Sequence, residues 1–249
     1  MPMVAFMPRL RGARTRRISV AASKEEPMAS ALTPVSTVLL DMDGTLLDLN
    51  FDDQVWNHAL PRHLAARTGW PLPQAAQHVV ETIATARGTL AWYCLDHWSS
   101  VFGVSVHALE EEQAAHIRVR AGTVDFLEHL AARGIPAVLA TNAHPRSMAR
   151  KLERTGLARY FCALRSSHEY GAPKEHAAFW DALHADLGFE VEGTIFVDDS
   201  ASVLDAARAW GIPELYGVHT PSSTGAWRSF AEYPAVESLA ELIGRCGGA

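Results

Sequence analysis

Residues 37–45 read Thr-Val-Leu-Leu-Asp-Met-Asp-Gly-Thr, a β-branched and apolar run followed by two aspartates in alternate positions. Such a run predicts a short strand that is buried on both faces, as in a parallel sheet. In an extended chain Asp41 and Asp43 share a face, so both carboxylates would project from the carboxyl end of the strand. Open α/β sheets bind their ligands at that end. We therefore expect either a cation site or a tight turn here, since Asp-Gly is also a common turn pair.

Short apolar segments recur along the chain, and helical patterns separate them. The segments are Ala137–Ala140, Cys162–Leu164, Thr194–Val197 and Leu215–Val218. This alternation predicts an α/β fold with a doubly wound parallel sheet. A further helix near Val236–Ile243 is expected to cover one edge of the sheet.

The interval between the first two segments breaks the alternation. It contains no strong strand pattern, whereas Trp56, Leu60 and Leu64 form a helical face, and Leu90–Ser100 and Ser105–Arg118 have helical patterns. We predict an all-helical domain inserted at residues 52–118. The core domain would then comprise residues 31–51 and 119–249.

Three further polar groups follow the later segments. Thr141 and Asn142 stand where a strand meets a helix, and a helix N-terminus favours anions. Lys174 comes after the third segment, and Asp198 and Asp199 end the fourth. Each group also has a simpler interpretation. Thr141 or Asn142 could cap one helix, Asp199 or Ser200 could cap another, and Lys174 could be a solvated surface residue.

The order of these groups resembles the four motifs of the haloacid dehalogenase superfamily, a family with a Rossmann-like core. The resemblance implies a nucleophile at Asp41 and a general acid/base at Asp43. It also implies phosphate binding by Thr141 and Asn142, charge neutralisation by Lys174, and metal binding by the aspartates. The implied metal ligands are Asp41, Asp43, Asp198 and Asp199. Mg²⁺ is the expected cofactor because the donors are all oxygens, although Mn²⁺ or Co²⁺ would also be compatible.

Longer segments at residues 37–49, 92–99, 141–145 and 151–157 resemble the GMP/IMP 5′-nucleotidase branch of this superfamily. That resemblance implies Mg²⁺-dependent hydrolysis of purine nucleoside 5′-monophosphates through an aspartyl-phosphate. Two alternatives remain open at this stage. One is a phosphatase or phosphomutase for another small phosphomonoester, such as a sugar phosphate or FMN, and the other is a non-catalytic binding protein with the same fold.

Aromatic residues in the inserted domain suggest how a purine could be recognised. We expect one of Trp92, Tyr93 and Trp98 to line the base site, because aromatic faces stack on bases. Most of the tryptophans in this domain are expected to pack in its interior. The histidines show no metal-binding spacing and are expected to be solvated or to cap helices; they are His58, His63, His78, His107 and His116.

Composition and charge exclude several classes of partner. The 249-residue chain has a net charge of −6, but residues 1–30 carry six basic and two acidic side chains, a net charge of +4. The remainder therefore carries −10, which disfavours binding to nucleic acid polymers. No run of about 18 apolar residues predicts a membrane span. The expected partner is a small phosphomonoester, and the oligomeric state is left open.

The Arg-rich residues 1–30 are expected to be a disordered extension, or to precede a true start at Met28. Organelle targeting is a less favoured alternative. Three widely spaced cysteines, Cys94, Cys162 and Cys246, favour a reducing compartment, so we expect the protein to be cytoplasmic.

Overall fold

A parallel six-stranded sheet forms the centre of the computed structural model, which describes residues 33–247. The extension predicted for residues 1–30 lies outside these described residues. The predicted α/β fold class is confirmed. The strands are β1 (Thr37–Leu40), β2 (Ala137–Thr141), β3 (Ala163–Ser166), β4 (Thr194–Val197), β5 (Glu214–Val218) and β6 (Ala235–Val236).

The strand order is β3-β2-β1-β4-β5-β6, and every neighbouring pair is parallel. The chain leaves β1 toward β2 and β3, then crosses back to place β4 on the other side of β1. The order therefore reverses between β1 and β4, and the loops that follow them flank the crevice where such sheets bind ligands.

Helices cover both faces of the sheet, and β1 is buried throughout as its sequence predicts. Val38 and Leu40 belong to one hydrophobic cluster, while Leu39 belongs to a second cluster with Trp180 and Phe196. The α-helices of the described chain are α1 (Asn50–Asp53), α2 (Leu60–Thr68), α3 (Leu72–Ala84), α4 (Leu95–Phe102), α5 (Val106–Gln113), α6 (Thr123–Arg133), α7 (Pro145–Thr155), α8 (Ser167–Tyr170), α9 (Ala177–Leu187) and α10 (Ala201–Trp210). None of them is long and apolar enough to cross a membrane.

Helical segments fill the interval between β1 and α6, as predicted. A π-helical stretch, Gln54–Ala59, joins α1 to α2 without a break. The chain leaves and re-enters the sheet through two paired linkers: the Asp48 N–H donates to the Arg118 carbonyl at 2.9 Å, and the Arg120 N–H donates to Leu46 at 3.0 Å. This pairing supports our proposal that residues 52–118 form a cap domain, with residues 31–51 and 119–249 as the core.

Local signals placed some helix ends well and others poorly. Pro145 begins α7, and Gly156 ends it with a φ of 67°. The helix predicted near Val236–Ile243 is wrong in its first part, because Val236 pairs with β5 as the short strand β6. Only Leu239–Leu242 is helical there, as a 3₁₀ turn capped by Ser238. The apolar spacing of Val236, Leu239 and Leu242 fits either arrangement, since all three are buried in one hydrophobic cluster.

Candidate active site

The predicted site residues meet at one edge of the sheet. Asp41 follows β1, Asp198 follows β4, and Thr141 is the last residue of β2. The pairings Leu40↔Val197 and Leu40↔Leu139 bring these strand ends level with one another. Asp41 is also held by its own N–H, which donates to the Val197 carbonyl at 3.0 Å.

Lys174 lies at the centre of this edge and is 1% exposed, so its interpretation as a solvated surface residue is wrong. Its ammonium group donates to Asp41 Oδ1 at 2.5 Å, to Asp198 Oδ2 at 2.7 Å and to the Ala140 carbonyl at 3.1 Å. The backbone of Lys174 is fixed as well, because its N–H donates to Asn142 Oδ1 at 2.9 Å and its carbonyl accepts from Trp180 Nε1 at 2.8 Å. One buried cation thus connects β1, β2 and β4.

Three carboxylates converge next to Lys174. Asp41, Asp198 and Asp199 each offer one oxygen, and these oxygens lie within 4.8 Å of one another. Asp199 Oδ2 also accepts from the Arg228 guanidinium at 2.6 Å. Gly44 makes this approach possible, since its φ is +89° and a Cβ there would stand 2.5 Å from Asp199 Oδ2. The Asp-Gly pair therefore both turns the chain and clears space for a carboxylate.

Burial makes this cluster costly in its charged form. Loss of solvent raises the pKa of Asp41 to about 7, partly offset by Lys174 and reinforced by Asp198 and Asp43. Burial likewise raises the pKa of Asp199 to about 7 and of Asp198 to about 6. Burial opposes the charge on Lys174, but Asp198 and Asp41 outweigh that effect and raise its pKa. Lys174 therefore stays charged, whereas the buried acids keep their protons to a higher pH than exposed aspartates do.

The donor set fits a hard divalent cation. All three converging side chains present oxygen, the ligand atom that Mg²⁺ prefers. Lys174 and Arg228 supply two positive charges beside three aspartates here, and Asp43 adds a fourth carboxyl group nearby. A divalent cation would stabilise the ionised carboxylates that burial now disfavours.

Asp43 has a cation of its own, which the sequence analysis did not identify. Lys151 Nζ lies 2.8 Å from Asp43 Oδ1 and donates to the Asp52 carboxylate at 3.0 and 3.2 Å. Burial opposes the charge on Lys151, but Asp43, Asp52 and Glu110 together raise its pKa. Burial also raises the pKa of Asp52 to about 7. Lys151 lies four residues after Ser147 in α7, so the two side chains share one helix face, and both line the site. This spacing is the feature of the sequence that could have identified Lys151 as a site residue.

Thr141 and Asn142 form the turn before α7, but neither caps the helix. The N-cap is His144, whose Nδ1 accepts the Arg146 N–H at 3.3 Å. The capping interpretation of Thr141 and Asn142 is therefore wrong. Of the two predicted caps of α10, Ser200 occupies the N-cap position and Asp199 does not. These side chains face the site, where both Thr141 and Asn142 are buried.

A cavity of about 830 Å³ extends from the carboxylates to the inserted helices. Trp92 and Tyr93 line it, whereas Trp98 does not. Trp98 is 1% exposed, donates its Nε1–H to the Trp92 carbonyl at 2.9 Å and stacks on Phe102. Other side chains at the far end are mainly apolar or aromatic, with one guanidinium: Trp56, Val79, Val80, Ile83 and Arg87.

One hydrogen-bonded chain joins the inserted segment to the sheet inside this cavity. Tyr93 donates to Glu175 Oε1 at 2.5 Å, and Asn142 Nδ2 donates to Glu175 Oε2 at 3.0 Å. Burial and the adjacent Glu175 carboxylate raise the pKa of Tyr93, so the phenol remains a donor. Glu175 carried no signal in the sequence beyond its position after Lys174.

Comparison with known proteins agrees with this geometry. Residues 35–211 match the model of the haloacid dehalogenase-like hydrolases. The chain is 40% identical over 209 residues to the GMP/IMP nucleotidase YrfG of Escherichia coli, covering 84% of this chain and 94% of that protein.

Solved structures share the fold. A HAD phosphatase from Thermococcus onnurineus superposes with a TM-score of 0.74 at 22% identity, covering 86% of this chain and 99% of that one. The HAD-hydrolase YfnB from Bacillus subtilis, bound to magnesium, superposes with a TM-score of 0.59 at 17% identity, covering 86% and 100%.

Mg²⁺ should raise the melting temperature of the chelator-treated protein by about 5 °C at about pH 8, and by less at about pH 5. The pKa values of Asp41 and Asp199 are about 7 in the folded protein, against an ordinary value of 3.8. The folded state therefore holds these protons more tightly than the unfolded state, and this contribution to stability is fully present below pH 3.8. That contribution is lost as the pH rises through about 7, and the cation counters the loss by binding the ionised form. Calorimetry with EDTA and with excess Mg²⁺ checks this. Equal melting temperatures at the higher pH would contradict it.

Replacing Lys151 by Met should lower the free energy of unfolding by about 3 kcal/mol, because it leaves the half-buried carboxylates of Asp43 and Asp52 side by side without their cation. Arg208→Met is the matched control. Arg208 pairs with Glu232 on the surface, so its loss should cost under about 0.5 kcal/mol. Urea unfolding compares the two variants, and equal midpoints would show that Lys151 has no such role.

Proposed function

Because the chain belongs to the haloacid dehalogenase-like hydrolase family and is a phosphoric monoester hydrolase, we propose that it hydrolyses purine nucleoside 5′-monophosphates, with GMP and IMP as substrates. The observation that supports this most is the cavity, which has Asp41, Lys174 and the Asp198–Asp199 pair at one end and mainly apolar and aromatic side chains at the other. The charged end could bind the phosphate of a nucleotide, and the apolar and aromatic end could bind its base. The similarity to a GMP/IMP nucleotidase supports the choice of substrate.

Asp41 is the proposed nucleophile. Its carboxylate attacks phosphorus, a bond to the aspartyl oxygen forms, and the bond from phosphorus to the ribose O5′ breaks. Lys174, already in contact with Asp41 and Asp198, stabilises the negative charge that collects on the phosphoryl oxygens. Water then attacks phosphorus, which releases phosphate and regenerates the Asp41 carboxylate.

Asp43 is the proposed general acid and base. Its proton passes to O5′ as the nucleoside leaves, and the same carboxylate then accepts a proton from the attacking water. Lys151 is a positioning residue in this scheme, because it holds Asp43 Oδ1 at 2.8 Å and anchors it to Asp52.

Phosphate binding is assigned to the turn between β2 and α7. Thr141 and Asn142 line the cavity beside Lys174, and α7 begins three residues later at Pro145. The free N–H groups and dipole of a helix start favour the negative charge of a phosphate. Asn142 is held in place by its bonds to Lys174 and Glu175.

Asp41, Asp198 and Asp199, with a contribution from Asp43, are the residues that would hold Mg²⁺. When bound, the ion would neutralise charge on the transferred phosphoryl group and help to orient it. The proposed compartment is the cytoplasm, which the three free cysteines favour.

Asp41→Asn should reduce phosphate release from GMP by at least about 10³-fold, because the amide cannot act as the nucleophile. Asp125→Asn, an exposed aspartate in α6, is the control and should keep wild-type activity. The assay measures phosphate from a panel of GMP, IMP, AMP, CMP, FMN and sugar phosphates with excess Mg²⁺. Equal rates for Asp41→Asn and wild type would refute the site, and a preference for FMN or a sugar phosphate would refute the substrate.

Trp92→Ala should raise the KM for GMP by about 10-fold, since stacking on one aromatic ring contributes about 1–3 kcal/mol per base. Hydrolysis of a small substrate without a base, such as p-nitrophenyl phosphate, should change little. Trp70→Ala is the control, because Trp70 belongs to the same inserted segment but does not line the cavity. An unchanged preference for GMP over CMP in Trp92→Ala would exclude Trp92 from base recognition.

A further inference from the structure

A second group of ligand-type side chains lies beside the active site and shares no residue with the carboxylate cluster. It consists of Cys94, Asp96, His107, His144 and His168. Cys94, Asp96 and His107 belong to the inserted segment. His144 lies in the turn between β2 and α7, and His168 lies in α8, which follows β3. The group therefore bridges the two parts of the chain that the paired linkers join.

The donor atoms are close enough to share one ion. Cys94, His144 and His168 each offer one donor within 4.8 Å of the others, and so do Asp96, His107 and His144. The rings of His107 and His144 are 5.3 Å apart, and those of His144 and His168 are 5.1 Å apart. His144 is thus common to both triads and lies at the centre of the group.

Ordinary hydrogen bonding leaves part of this group unsatisfied. His168 Nε2 and His107 Nδ1 are buried nitrogens with no hydrogen-bond partner among the described residues. The contacts of His144 are long, at 3.3 Å to the Arg146 N–H and 3.4 Å to Asp96 Oδ2. Buried polar atoms are normally paired, so His168 Nε2 and His107 Nδ1 have the capacity to take a further ligand.

The expectation that His107 is solvated or caps a helix is wrong. It is buried, and its Nε2 lies 2.7 Å from Asp96 Oδ1. Spacing along the chain could not have revealed the group, because its members come from four separate segments. Only the packing of α4 and α5 beside α7 and α8 brings them together.

The chemistry of the donors differs from that of the first site. A thiolate and imidazoles are the ligands of Zn²⁺ and related transition metals, whereas Mg²⁺ prefers oxygens. The sulfur of Cys94 already accepts the His97 N–H at 3.4 Å, a contact that would also support a metal-bound thiolate. The Asp96 carboxylate lies 3.4 Å from His144 Nε2, and a carboxylate is a common outer partner of a ligating histidine. Nδ1 of His144 would then be the ligand, and it would release its 3.3 Å contact with the Arg146 N–H.

We propose that Cys94, His144 and His168 bind a divalent transition-metal ion of the Zn²⁺ class, at a site distinct from the carboxylate cluster. The ion would link Cys94 of the inserted segment to the two histidines of the sheet domain. Because His144 also lines the cavity, an occupied site would restrain one wall of the substrate pocket. The proposal does not depend on which phosphomonoester the enzyme hydrolyses.

Co²⁺ is the probe for this site, since thiolate ligation gives it a near-ultraviolet charge-transfer band that carboxylates do not produce. The full chain is treated with a chelator, exchanged into excess Mg²⁺ to fill the carboxylate site, and titrated with Co²⁺. We expect one equivalent to bind with this band. Cys94→Ser should abolish the band, and His168→Ala should weaken binding by at least about 10-fold. Cys162→Ser is the matched control, because Cys162 is exposed and outside the group, and its band should be unchanged.

A measurement on the wild-type protein guards against misfolding of the variants. Zn²⁺ should protect Cys94 from alkylation by iodoacetamide, as read by mass spectrometry, while Cys162 in the same sample reacts at its usual rate. Absence of the band in the wild type, its persistence in Cys94→Ser, or equal alkylation of Cys94 with and without Zn²⁺ would each overturn the proposal. Phosphatase activity does not enter any of these readouts.

Discussion

The ammonium group of Lys174, buried between Asp41 and Asp198, is the interaction on which the site depends. Its Nζ lies 2.5 Å from Asp41 Oδ1 and 2.7 Å from Asp198 Oδ2, and so holds together the ends of two adjacent strands. It also places a positive charge where almost no solvent is present to stabilise the carboxylates. Without it, burial would leave three carboxylates facing one another. With it, the cluster retains an excess of negative charge that a divalent cation and a phosphoryl group can share.

The strand order explains how acids that are far apart in the sequence come together at the site. Because β4 lies parallel beside β1, on the side away from β2, the acids that follow these two strands meet at one edge of the sheet. Gly44 then allows Asp199 to approach the turn after β1, where a side chain would collide with it. The inserted helices close the other end of the cavity and supply the apolar surface that a base would contact.

The fold could be predicted from sequence because its signals are local and redundant. Residues Thr37–Leu40 and Thr194–Val197 form strands with the predicted bounds, and Pro145 and Gly156 mark the ends of α7. Lys151, Glu175 and the group around His144 were not predicted, because their importance comes from contacts between distant segments. The position of Trp98 could not be predicted either, because the sequence does not distinguish an aromatic residue that lines a pocket from one that packs in the interior.

The central claim is that carboxylates from β1 and β4 hold one cation beside Lys174. Anomalous diffraction from a crystal soaked in Mn²⁺ tests it most directly, because the scattering locates the ion independently of the phosphatase assay. The account predicts a peak within ligand distance of Asp41 and of at least one of Asp198 and Asp199. A peak elsewhere, with Asp41 bonded only to Lys174, would contradict it.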